Sequence, residues 1–329
     1  MLRNRYRGKS GLLTNHKRDH GGGLDAAIAQ YGGSRIAWID LSTGINPHPY
    51  PVSHMPADVW TALPDKGANT RLTNAARAFW QIPDQAAVLA APGASAIIVQ
   101  IPQLVPRGTV RIPGPTYNEH AAAFTVQGWR TIDTGTATAQ VVVHPNNPDG
   151  KIWAPDTLPN PAASLTVIDE SFCDIAPDHS LVGQSVQPGT LILKSFGKFW
   201  GLAGMRLGFI VGDPALVARL ADTLGPWAVS GPALHIGTAA LTDQQWATET
   251  RARLSQDATR LDTLMQAAGA NVVGGTPLFR LYEVDDATRW QHRLATHHIW
   301  SRTFPYNPRW LRLGLPHALH WPRVTAALS

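Results

Sequence analysis

"SFGKFWGLAGMRLG", residues 195–208, lies between two apolar runs, "TLILK" (190–194) and "LGFIV" (207–211), and carries one lysine, Lys198, with an arginine, Arg206, eight positions later. A phosphate-binding P-loop is excluded by spacing. The pattern G-x-x-x-x-G-K-[ST] needs a glycine where Ile192 stands and a hydroxyl where Phe199 stands. Outward from this stretch the short apolar runs continue: "AAVLA" (86–90), "TVRIP" (109–113), "AQVVVH" (139–144) and "LTVID" (165–169), separated by longer amphipathic or loop segments. Continuous apolar runs of that length at that spacing predict strands buried on both faces, hence an α/β fold with a mostly parallel central sheet covered by helices.

After about residue 215 the pattern changes. "DATRLDTLMQAAG" (257–269) predicts a helix, and "NVVGG", "LFRLYEV" and "WLRLGLP" predict an antiparallel sheet, together a smaller α+β unit. The expected organisation is an N-terminal arm with part of the small domain over 1–50, a large domain over 51–220 and a small C-terminal domain over 221–329. Pro214, Gly225 and Pro226 mark the expected hinge or linker.

Charge narrows the classes of partner. The chain has 28 basic and 23 acidic residues; residues 1–19 hold six of the former and one of the latter, so the remainder carries 22 of each. The body is neutral, which argues against a nucleic-acid surface, and the basic stretch is expected to be a frayed, solvated tail. "GLL" (11–13) is too short for a signal-peptide core, and no apolar run reaches the roughly 18 residues that would cross a bilayer. The single cysteine, Cys173, cannot form an intrachain disulfide and fits a reducing, cytoplasmic compartment.

In an α/β sheet, chemistry collects in the loops beyond the carboxyl ends of the strands. "PGASA" (92–96) can offer backbone N–H groups of Ala94 and Ser95 to an anion, or simply cap a helix. "PGPTYNEH" (113–120) places Tyr117 beyond a turn, and "HPNNPDG" (144–150) holds Asn147, an amide donor, between prolines and a glycine. "VIDESF" (167–172) puts Asp169 at the tip of an apolar strand, where a carboxylate is costly unless a cation or donor meets it. A strand-end aspartate, a loop asparagine, an aromatic ring, a small-residue anion cup and a lysine followed by an arginine are what a pyridoxal phosphate site needs. "HALH" (317–320) has no carboxylate or cysteine set beside it, and no metal is expected.

The order and spacing of these motifs resemble fold-type I pyridoxal phosphate enzymes of aminotransferase class I/II, in which "NPNNPTG", "DEAY" and "S-x-[ST]-K…GLAGLRLGY" follow one another in the same order. The resemblance implies that Lys198 binds the cofactor aldehyde and that Asp169 meets the pyridine nitrogen. Asn147 would bond the ring 3-oxygen and Tyr117 would stack on the ring, while Ala94, Ser95, Ser195 and Arg206 hold the phosphate. It also makes Arg312 of "WLRLGLP" the arginine for a substrate α-carboxylate. Three positions depart from the pattern: Phe172 for the tyrosine of "DEAY", Gly197 for a hydroxyl before the lysine, and Leu63 of "LPDKG" for a tyrosine that reaches the neighbouring subunit's phosphate.

"HGGGLDAAIAQYGG" (20–33), "WIDLSTGINPHPYP" (38–51) and "PWAVS" (226–230) are similar to segments of the threonine-phosphate decarboxylase family. That implies a phosphorylated amino acid substrate met by His20, Gly44, Asn46, Arg302 and Arg312, with Arg71 or Arg77 as further candidates, and a homodimer without membrane or nucleic-acid partners. The alternatives are a histidinol-phosphate-type aminotransferase and a non-catalytic binding protein, which would normally have lost Lys198 or Asp169.

Overall fold

The computed structural model describes residues 20–52, 55–158 and 163–329, so the basic stretch 1–19 lies outside the described residues. Eight strands come first: β1 (Ile39–Asp40), β2 (Ala87–Ala91), β3 (Thr109–Arg111), β4 (Arg130–Ile132), β5 (Ala139–Val143), β6 (Leu165–Asp169), β7 (Thr190–Ser195) and β8 (Gly208–Gly212). They are followed by β9 (Asn271–Thr276), β10 (Phe279–Glu283), β11 (Ile299–Trp300), β12 (Arg302–Phe304) and β13 (Asn307–Gly314).

The central sheet has seven strands in the order β2-β8-β7-β6-β5-β3-β4. Only β8 runs against the others, pairing antiparallel with both β7 and β2. All six runs from 86 to 211 supply strands, and the seventh is "RTI" at β4, a three-residue edge strand too short and too exposed to show a period in the sequence. Both faces of the sheet are covered. Val141, Val167, Leu191 and Ile210 pack into one apolar cluster and Val142, Ile168, Ile192 and Phe209 into the other, so alternate residues face opposite layers and the strands read as unbroken apolar runs. A second sheet, β12-β13-β10-β9, is antiparallel throughout, and β1 pairs with β11 in parallel, joining the N-terminal segment to the C-terminal part of the chain.

The expected linker is partly replaced by structure. Pro214 opens a helix, Pro214–Leu224, capped by the Asp213 side chain, and its Leu216, Val217 and Leu220 are buried in one of the two layers over the central sheet. Gly225 ends that helix with φ 71, a left-handed value that favours glycine.

Alternation also puts Glu170 and Lys194 on the face of the sheet opposite Asp169 and Ser195. There Lys194 pairs with Glu170, whose carboxylate also accepts from Ser180 Oγ (2.8 Å) and the Leu181 N–H. Asp174 lies 3.9 Å from the ammonium and accepts from the indoles of Trp80 (2.8 Å) and Trp200 (3.0 Å). Burial alone would lower the Lys194 pKa, but the two carboxylates outweigh it and raise it. Lys194→Met would strand both carboxylates in the core, and a loss of about 3–5 kcal/mol is expected in urea unfolding. A change under about 1 kcal/mol would show that the network contributes little.

Candidate active site

The carboxyl ends of β2, β3, β5, β6 and β7, with the start of β8, surround one cavity. Its wall includes Ala94, Ser95, Tyr117, Asn147, Asp169, Phe172, Ser195, Lys198 and Arg206, so all eight residues expected to touch the cofactor meet there. Close approach is built in by glycine. A Cβ on Gly93 would stand 2.4 Å from the Arg206 guanidinium, and one on Gly208 would stand 2.5 Å from the Ala94 backbone nitrogen. Arg206 itself adopts the left-handed region, φ 54, and donates to the Ala203 carbonyl at 3.0 Å. The guanidinium and the first turn of the helix Ala94–Ile98 therefore face the same end of the cavity.

Asp169 ends β6 and is 2% exposed. Its Oδ2 lies 2.8 Å from His120 Nε2, and its Oδ1 accepts from the Ser171 N–H (2.9 Å) and Ser171 Oγ (2.5 Å). Burial pushes its pKa up, yet the bonds from His120 and Ser171 outweigh burial and hold the carboxylate ionised below its ordinary range. His120 was not singled out by the sequence. It lies three residues after Tyr117 on the helix Asn118–Val126, and that spacing was the available signal.

Lys198 is half-buried, with its ammonium 5.4 Å from the Phe172 ring centroid. Its pKa falls to about 8: burial is the main cause, the cations Arg312 and Arg206 add to it, and Asp169 opposes it. Tyr117 moves the other way, to about 12, through burial and the nearby Asp169 and Glu119 carboxylates, so it stays a neutral phenol.

A second cavity of about 190 Å³ shares Tyr117 and Asn147 with the first and adds His20, Arg302, Tyr306 and Arg312. Arg302 and Arg312 are direct partners across β12 and β13, which brings two guanidinium groups to one place from positions ten residues apart. Arg312 is buried and donates to Asn147 Oδ1 and to the Ser42 carbonyl (2.7 Å). His20 Nε2 is 2.9 Å from the Glu119 carboxylate at the rim.

Gly44 is buried, and a Cβ there would meet Phe279 at 2.8 Å and Phe172 at 2.9 Å, so it packs against a ring of the cavity wall. Other expected residues lie elsewhere. Asn46 is 2% exposed with its amide spent inside the protein, donating to the Phe199 carbonyl at 2.8 Å. Arg77 donates to the carbonyls of Pro83 and Ala86, and Arg71 lines a separate cleft with Asp58 and His235. His144, Glu170 and Cys173 bring three metal-ligating atoms together in the core. Both His144 nitrogens are engaged, Nδ1 by the Trp153 N–H (3.1 Å) and Nε2 by the His179 carbonyl (2.7 Å), so this set is a hydrogen-bonded core and not a metal centre.

Residues 39–320 match the aminotransferase class I and II family, and the chain belongs to it. Within that family it falls with the threonine-phosphate decarboxylases. It is 41% identical to the one from Sinorhizobium sp and 36% identical to the one from Pseudomonas aeruginosa, each time over 94% of this chain and 97% of the relative. The solved histidinol-phosphate aminotransferase from Sinorhizobium meliloti, in complex with pyridoxal 5'-phosphate, has the same fold: TM-score 0.77 over 92% of this chain and 93% of that one, at 18% identity. Fold-type I architecture is thereby shown. The cavity fits the cofactor on its own chemistry: a cation and a glycine-lined turn for a phosphate, a buried carboxylate for a pyridinium, and a lysine of lowered pKa for an aldehyde. Among the described residues no helix is long and apolar enough to cross a membrane.

Proposed function

We propose that this chain catalyses the pyridoxal phosphate-dependent decarboxylation of O-phospho-L-threonine to (R)-1-amino-2-propanol O-2-phosphate, a step of cobalamin biosynthesis. The observation that carries this is the pairing of Arg302 with Arg312 in a cavity that shares Tyr117 and Asn147 with the lysine site. A substrate with a carboxylate and a phosphate needs two cationic points beside the cofactor. The two full-length relatives carry the name of that reaction.

When bound, pyridoxal phosphate supplies an electron sink for the bond broken at the substrate Cα. Lys198 would hold the cofactor through its aldehyde carbon, Asp169 would keep a proton on the ring nitrogen, Asn147 would donate to the 3-oxygen, and Tyr117 would cover the ring. Ala94, Ser95, Ser195 and Arg206 would take the cofactor phosphate. Arg312, already tied to Asn147, grips the α-carboxylate and so orients the bond that breaks. Arg302 and His20 anchor the substrate phosphate.

The test is carbon dioxide release from O-phosphothreonine with pyridoxal phosphate and no amino acceptor. A requirement for 2-oxoglutarate would move the chain to the aminotransferases. Arg302→Ala is expected to weaken O-phosphothreonine binding by about 1.5–3 kcal/mol, the range for a hydrogen bond to a charged group, while the poor turnover of threonine scarcely changes. Equal losses for both substrates would remove Arg302 from the phosphate site.

The active form in this proposal is a two-fold dimer. Trp60, Leu63 and Trp227 are each more than half exposed, and Leu63 lines a surface cleft with Leu234 and His235, apolar surface that a second copy would cover. Sedimentation is expected to give a dimer; a fully active monomer would contradict it. The lone, buried Cys173 favours the cytoplasm.

A further inference from the structure

We propose that Asn46 is a positioning residue for Lys198, acting through the backbone that carries the lysine and not through substrate. The inference rests on the reading of Lys198 as the cofactor lysine. After β7 the chain leaves the sheet, and the carbonyls of residues 198–200 need partners outside regular structure. The segment 46–50 supplies one for each, and the Lys198 carbonyl also accepts from the Gly201 N–H of its own turn at 3.1 Å. Asn46 N–H donates to the Lys198 carbonyl at 3.0 Å, Asn46 Nδ2 to the Phe199 carbonyl at 2.8 Å, and the Tyr50 N–H to the Trp200 carbonyl at 2.9 Å. One residue therefore holds two consecutive carbonyls, the first of them the lysine's own.

The far side of the Asn46 amide is fixed as well. Its Oδ1 accepts from the His48 N–H at 3.0 Å and from Arg253 of the helix Gln244–Ala267 at 3.4 Å. The two segments are also pressed together: Gly201 has φ +69, and a Cβ there would stand 2.7 Å from Pro49 Cα and 2.9 Å from the Asn46 carbonyl oxygen. Below the loop, Trp200 is stacked between Phe196 (5.0 Å) and Trp246 (5.3 Å). The aromatic stack contacts the loop from the core side and Asn46 holds it from the N-terminal side, so the backbone that carries Lys198 is tied on two sides.

The step that this serves is attack by the free amine of Lys198 on the aldehyde carbon of pyridoxal phosphate. A C=N bond forms from the amine, and the aldehyde oxygen leaves as water with the two amine protons. A displacement of about 1 Å in such a geometry costs on the order of 100-fold in rate.

The test uses the full chain stripped of cofactor and two ligands, pyridoxal phosphate and pyridoxamine phosphate. The second has the same phosphate and ring but no aldehyde, so it cannot bond to Lys198. Asn46→Ala is expected to slow borohydride-trappable attachment at Lys198 by about 10- to 100-fold, with pyridoxamine phosphate affinity unchanged within about twofold. Asn46→Asp keeps the acceptor for Arg253 and His48 but turns an oxygen toward the Phe199 carbonyl, and the same split is expected. Should Asn46→Ala fail to fold, Arg253→Met decides, with attachment slowed about threefold and pyridoxamine phosphate binding retained. Undiminished attachment, or equal loss of both ligands, overturns the proposal. Failure of the underlying reading looks different: Lys198→Ala would still give a reducible adduct.

Discussion

Lys198→Ala abolishes covalent capture of pyridoxal phosphate and lowers turnover by at least about 1,000-fold, within the range for loss of a positioned nucleophile and proton carrier. The expectation rests on how the fold treats this amine. Burial and the cations Arg312 and Arg206 bring its pKa to about 8, with Asp169 pulling the other way. At about pH 7.5 roughly a quarter of Lys198 is then free amine, against about one part in a thousand for an ordinary lysine. The rate of cofactor loading in the parent protein should accordingly rise with pH through about 8 and level off above it. The variant should keep its fold, because the side chain ends in a cavity, and should show no absorption from a bound imine. A borohydride-reducible adduct that survives in Lys198→Ala would sink the assignment, and loading that keeps rising beyond pH 10 would show that the amine is not perturbed.

Much of this site was legible because strand-end positions are local features. Asp169 closes an apolar run and Lys198 sits just beyond another, so a parallel sheet brings both to one edge whatever the rest of the chain does. What could not be read depends on register and on side-chain direction. Arg302 and Arg312 meet because β12 pairs with β13 at that offset, which no spacing rule states in advance. Glu170 and Lys194 look like the ends of apolar runs, and only the alternation of a strand covered on both faces sends them to the side away from the cavity. Asn46 shows the converse: a polar residue in a turn-rich "INP" segment suggests a ligand contact, yet its amide is needed by the loop it packs on. The strand at β4 escaped for a simpler reason, since three residues with Arg130 and Thr131 exposed carry no hydrophobic period.

Asp169→Asn is expected to cut turnover by about 100- to 1,000-fold, the scale for removing one preorganised electrostatic partner, while retaining cofactor. A carboxylate at this depth costs free energy, and three bonds from His120 and Ser171 are arranged to keep it ionised. Asparagine has nearly the same shape and can keep some of those bonds, so the change removes charge more than structure. It also acts on Lys198. Asp169 is the group that raises the lysine pKa against burial and the two arginines. Without that charge the midpoint for cofactor loading should fall below about 8, so loading at neutral pH becomes faster in a variant that turns over far more slowly. Loss of cofactor affinity alone cannot produce that pair of changes, nor can unfolding. Spectrophotometric loading across pH, set beside carbon dioxide release from O-phosphothreonine, measures both. Near-normal turnover in Asp169→Asn would end the case for a carboxylate at the ring nitrogen, and an unmoved loading midpoint would end the case for its field at Lys198.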